Sequence, residues 1–169
     1  MQAHFEEFVA PGLGGAPLAQ WMTATVVAQD SSTKDETGRT LTSSVRIPAE
    51  HLEPGPRGAR FHVVDFDPAS GTLSRPGVVA TAYGDPFAGA PDDVLLADPG
   101  FRAQNVYAIA ARTLATFEAA LGRRLGWAFP GHQLFLVPRA FPEANAFYAH
   151  EHRAITFGYV PDGPQTALS

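Results

Sequence analysis

The segment that most constrains this chain begins at Asp98-Pro99. An aspartate can accept hydrogen bonds from the free N–H groups of a first helical turn, and proline suits the first helical position, where its missing donor is not needed. Val106, Ile109, Ala110, Thr113, Leu114, Phe117, Ala120 and Leu121 then recur at helical spacing. Gly122 supplies a stop, and Arg123-Arg124 stand where the helix dipole favours cations. The pattern predicts a helix from about 99 to 121. An amphipathic helix of that length needs another layer to cover its apolar stripe, and the rest of the chain reads as strands and turns.

Trp21 to Gln29 is rich in β-formers and predicts a strand, followed by a polar turn over Asp30 to Thr40 and a second strand over Leu41 to Ile47, ended by Pro48. Arg60 to Asp67 alternates Phe61, Val63 and Asp65 against His62, Val64 and Phe66, a third strand. Asp67 to Thr72 carries turn residues, and Val78 to Tyr83 predicts a fourth strand. Composition changes after Gly84. Asp85 to Ala97 is expected to be a loop, Gln133 to Val137 a buried strand, and Asn145 to Ala149 and Ala154 to Tyr159 two strands joined through His150-Glu151-His152. Residues 1–20 read as a loose lead-in, and 160–169, with Pro161, Gly163 and Pro164, as a tail. The expected fold is α+β: an antiparallel β-rich N-terminal half over 1–84, then over 85–169 a long helix packed on a sheet that contains an edge hairpin at about 145–159.

The 169 residues suffice for one ordinary domain, and 45% hydrophobic against 17% charged residues excludes global disorder. A net charge of −5 argues against nucleic acid and anionic membrane, which are bound by clustered cations. No apolar run approaches the roughly 18 residues of a membrane span. The acidic start, Met1-Gln-Ala-His-Phe-Glu-Glu-Phe, does not read as a signal peptide, which leaves cytoplasmic and secreted locations equally open. Without cysteine there is no disulfide framework, thiolate zinc site or thiol nucleophile.

Local motifs for chemistry are few. His150-x-His152 would place two imidazoles on one face of a strand, beside Glu151, but a polar hairpin turn explains them as well. His4, His51, His62 and His132 are scattered. Asp92, Asp93 and Asp98 could hold calcium, or could be a solvated loop and a helix cap. Gly12-Leu-Gly14-Gly15 neither follows a strand nor opens a helix, and no Gly-x-Ser-x-Gly elbow occurs. By these tests the chain is a binding or structural domain.

Asn145-Ala146-Phe147-Tyr148, a short turn, and Ile155-Thr156-Phe157-Gly158 together resemble a segment of the thermolysin-like and fungalysin-like zinc metallopeptidases. In that family an Asn-Ala-Phe-(Trp/Tyr) strand at the edge of the cleft precedes the zinc-binding His-Glu-x-x-His helix. A long helix and then a strand before the motif follow the same order, so the resemblance covers roughly 95 to 169, and 1 to 94 only by architecture. It implies that Asn145 binds substrate main chain through its side-chain amide, that Ala146 presents backbone groups, and that Phe147 and Tyr148 shape apolar subsites. The zinc helix, its glutamate base and the third ligand have no match in the sequence. The resemblance therefore implies an N-terminal lobe that is inactive alone, holds no cofactor itself, and belongs to a longer protein using zinc, with calcium as an optional second ion. Its partners would be a peptide or protein substrate and the missing C-terminal lobe. A bare edge strand would also allow self-association. The alternative is a non-catalytic peptide- or protein-binding domain.

Overall fold

The structure, a computed structural model, describes residues 21–29, 33–67, 71–74 and 79–159. The lead-in over 1–20 and the tail over 160–169 lie outside these, as do parts of the turns expected at 30–40 and 67–72.

The first two predicted strands form. β1 (Trp21–Val27) and β2 (Thr42–Pro48) pair antiparallel, with Trp21 opposite Pro48 and Val27 opposite Thr42. Between them Asp35 Oδ1 accepts hydrogen bonds from the Thr37 and Arg39 N–H groups, and Gly38 takes φ +80°, so the turn chemistry is local. The third strand divides. β3 (Phe61–Val63) is followed by β4 (Phe66–Asp67), which pairs antiparallel with β5 (Thr72–Leu73). Between β3 and β4 the backbone changes partner, the Val64 N–H donating to the Leu136 carbonyl at 2.9 Å and the Asp65 carbonyl accepting from the Ser74 N–H at 2.7 Å; the buried Asp65 carboxylate is held by the Arg102 guanidinium at 2.9 and 3.1 Å.

Two expectations in the middle of the chain are corrected. The described part of Val78–Tyr83 forms no strand: the Ala80 N–H donates to the buried Gln104 Oε1 at 2.6 Å, and Thr81 and Gly84 close a turn. The loop expected over 85–97 contains a short helix, α1 (Asp92–Ala97), whose first turn carries Asp92 and Asp93 where the dipole favours anions.

α2 (Pro99–Leu121) has the predicted ends. Asp98 Oδ1 accepts from the N–H groups of Gly100 (2.6 Å) and Phe101 (3.3 Å), and Gly122 adopts the left-handed conformation at φ +62°. Its most buried face is displaced from the stripe that the periodicity suggests, of which Val106, Ala110 and Leu114 pack against the core only partly buried. Gly100, Phe101, Ala103, Gln104, Tyr107, Ala108 and Ala111 go inward. Small residues let the helix approach the β-layer closely, and Tyr107 is satisfied by donating its hydroxyl to Glu50.

β6 (Leu134–Phe141), β7 (Ala146–Ala149) and β8 (Ala154–Gly158) join β3 in a four-stranded sheet of order β3-β6-β8-β7. β3, β6 and β8 run parallel, and β7 is antiparallel to β8. The fold is α+β, an antiparallel pair followed by a long helix lying on a mixed sheet. α2 packs against β1, β2, β3 and β6. One core cluster takes Met22, Val26, Ile47 and Phe61 from one side of Gly84, and Tyr107, Ala108, Leu134 and Leu136 from the other. Polar ties support it: the Val27 N–H donates to Asn105 Oδ1 at 2.8 Å, and Gln104 Nε2 donates to the Thr25 carbonyl at 3.1 Å and to Asp85 at 3.0 Å.

Candidate functional site

β7 is the outer strand of its sheet, and among the described residues nothing pairs with its open side. Its register on β8 sets Ala146 opposite Phe157, Phe147 opposite Thr156, Tyr148 opposite Ile155 and Ala149 opposite Ala154. The Gly158 N–H donates to the Asn145 carbonyl at 2.8 Å. In an antiparallel ladder hydrogen-bonded and non-bonded pairs alternate. Phe147 and Ala149 are therefore turned toward β8, while the N–H and C=O groups of Ala146 and Tyr148 point to the open edge.

Side chains alternate the other way. Tyr148 and Ala146 share the face of Ile155 and Phe157, which is the α2 side of the sheet. Phe147 stands on the opposite face and stacks on Phe141, with ring centroids 5.2 Å apart. Both aromatics are half exposed, Phe147 at 51% and Tyr148 at 46%, so neither is a core residue. Asn145 is exposed, and its Oδ1 accepts the Ala146 N–H at 2.8 Å. The structure thus places all four sequence-predicted residues in one continuous edge.

The hairpin connection is a 3₁₀ turn over His150–His152, closed by Arg153 at φ +50°. Both histidines are exposed turn residues rather than neighbours on one strand face. Among the described residues no three His, Asp or Glu side chains gather as a metal-binding group. Asp92 accepts from the Thr40 N–H and hydroxyl at 2.6 and 2.7 Å, and Asp98 caps α2, so two of the three candidate calcium carboxylates have structural donors of their own. The described residues do not fit the zinc that the family resemblance implies.

Beside the edge lies a feature that the sequence did not single out. A groove of about 600 Å³ runs between α2 and the β8 side of the sheet, walled by Ile109, Thr113 and Phe117 on one side and Ile155 and Phe157 on the other. Trp127 lines it as well; its ring is wedged against Phe61 (5.7 Å), stacked on Phe129 (5.8 Å) and covered by the Arg60 guanidinium at 4.6 Å. Arg60 also bonds Glu118 and the Leu125 carbonyl, which fixes this loop to α2. The groove is made by the helical stripe that the periodicity detected. One side of that stripe, Val106, Ala110 and Leu114, packs against the core, while Ile109 and Phe117 on its outer side stay exposed. Phe117 is 59% exposed. Among the described residues no helix is long and apolar enough to cross a membrane.

Compared with known proteins, the chain matches no protein-family model, no curated protein and no solved structure.

Proposed function

We propose that this chain is the N-terminal lobe of a zinc metallopeptidase-like protein, in which β7 holds an extended peptide substrate while the hydrolytic groups come from a C-terminal lobe. Alone it is inactive. The observation that carries this reading is the position of Asn145–Tyr148: an outer strand with outward backbone groups, reached after the long helix and a strand in the order the resemblance implies. An added peptide strand gains main-chain hydrogen bonds from such an edge, and side-chain specificity from what lies on its two faces. Here one face offers Phe147 stacked on Phe141, and the other Tyr148 with the apolar groove beyond it. Asn145 contributes its side-chain amide to substrate main chain. The second lobe brings the zinc ligands and a carboxylate base, since a zincin needs a metal-bound water and a group to take its proton.

Reading the coding sequence past Ser169 is the first test. A His-Glu-x-x-His within about twenty residues supports the proposal; a stop codon there supports instead a non-catalytic peptide- or protein-binding domain, the reading that the uncovered groove favours on its own. In the longer protein, Asn145→Ala is expected to lower kcat/KM roughly three- to tenfold, the loss of one hydrogen bond to substrate main chain. An unchanged kcat/KM means that the edge does not bind substrate.

A further inference from the structure

Ala146 and Tyr148 both turn their backbone groups to the open side of β7, but they are not equivalent. The Ala146 N–H is already engaged by Asn145 Oδ1 at 2.8 Å. Just upstream the chain is closed as well. The Asn145 N–H donates to the Glu143 carbonyl at 2.9 Å, and the Asn145 carbonyl receives the Gly158 N–H. The first outward N–H that an incoming strand can use is therefore that of Tyr148. Downstream the 3₁₀ turn at His150–His152 ends the strand.

We propose that Asn145 is a register-setting residue of this edge. An incoming strand meets its partner at every second residue. With the Ala146 N–H closed, Ala146 offers only its carbonyl, and Tyr148 offers both groups. An extended peptide then docks in the one frame centred on Tyr148. The frame displaced two residues toward Asn145 would oppose a peptide carbonyl to a donor already taken, next to an acceptor oxygen that repels it. The same closure shortens the edge open to unwanted pairing, as edge strands in general require. This inference rests on the reading of β7 as a peptide-binding edge, and it concerns the acceptor oxygen of Asn145, whereas the substrate contact proposed above uses its amide donor. Asn145→Asp separates the two, because it retains an oxygen at Oδ1 and removes the donor.

The test is amide hydrogen exchange by NMR on the full chain, corrected for neighbour effects on intrinsic rates, with and without the blocked peptide acetyl-Ala-Phe-Ala-Phe-Ala-amide. In the free chain the Ala146 amide is expected to exchange roughly three- to tenfold more slowly than that of Tyr148, the protection given by one hydrogen bond of ordinary strength. Asn145→Ala removes this difference and Asn145→Asp keeps it. Added peptide slows Tyr148 in all three proteins, and Ala146 only in Asn145→Ala. Equal rates for the two amides in the free wild-type chain overturn the proposal. So does a peptide that slows Ala146 and Tyr148 alike in the wild type, although the edge reading then stands. A peptide that slows neither amide overturns both.

Discussion

At Gly158 the backbone of Glu143 crosses so closely that a Cβ would collide with the Glu143 carbonyl oxygen, lie 2.7 Å from Phe141 and 2.9 Å from the Glu143 carbonyl carbon. Backbone atoms cannot swing away as a side-chain tip can. Gly158→Ala should destabilise the chain by about 1–3 kcal/mol, the usual range for overpacking, seen as a lower urea midpoint at unchanged slope. Tyr107 makes a second prediction. Burial, and then its hydrogen bond to Glu50, push the phenol far above its ordinary value. A raised pKa means that the folded state keeps a proton which the unfolded state releases, so the stability it contributes is intact below about pH 10, the ordinary tyrosine value, and declines above it. Tyr107→Phe should lower stability at neutral pH by about 1–2 kcal/mol and flatten the alkaline limb of a stability-versus-pH curve. A limb equally steep in the variant would assign that loss to other groups.

α2 shows which parts of an element its sequence discloses. Both ends were legible because capping is settled within a few residues: Asp98 needs only the N–H groups of the turn that it opens, and Gly122 needs only its own freedom at positive φ. Asp98→Ala is accordingly expected to destabilise by about 1 kcal/mol, measured by thermal or urea unfolding, and a cost near zero would mean that Pro99 alone starts the helix. The buried face of the same helix was legible only in part. Of the stripe that periodicity favoured, Val106, Ala110 and Leu114 pack against the core while Ile109 and Phe117 stay exposed; the deepest positions went to Ala103, Tyr107, Ala108 and Ala111, and nothing local shows how closely a β-layer will approach. Likewise the strand over 60–67 read as continuous because its alternation is regular; the break is a change of backbone partner, from Leu136 at Val64 to Ser74 at Asp65, which no local pattern announces. The two strands of the hairpin were legible in the pattern over 145–159, whereas the outward direction of the backbone groups follows only from the Gly158–Asn145 bond. Asp85 joins elements in a similar long-range way. Burial alone would raise its carboxyl, but hydrogen bonds from Thr25, Gln104 and Phe87 override that and hold it below the ordinary value. A depressed pKa contributes stability above the unfolded value near 3.9, lost as pH falls through the folded one. Asp85→Ala should therefore soften acid unfolding below about pH 4, and an unchanged acid limb would remove Asp85 from that account.

Across the whole molecule, the sheet is covered unevenly. α2 lies over β3 and β6, while the same face of β8 and β7 carries Ile155, Phe157 and Tyr148 with no helix above it among the described residues. Strands stand nearly 5 Å apart and a helix with its side chains is about 10–12 Å across, so the two uncovered strands leave a strip about as wide as one more helix. An apolar face of this kind on a folded domain marks a contact surface. If it does so here, the groove should take up a hydrophobic dye such as ANS at neutral pH while the chain remains cooperatively folded. Replacing both Ile109 and Phe117 by serine should weaken dye binding severalfold. The same change should alter stability by only about 0.5 kcal/mol per site, as is usual for exposed positions, because these side chains are 45% and 59% exposed and contribute little to the core. Equal dye binding by wild type and double variant would place the uptake elsewhere. A large loss of stability would show that the groove wall is part of the core after all. If the coding sequence runs on past Ser169, joining the chain to that segment supplies the last comparison. If a second lobe covers this strip, the fusion should bind less dye than the lobe alone and should unfold at a higher temperature, since surface buried in the native state alone stabilises it.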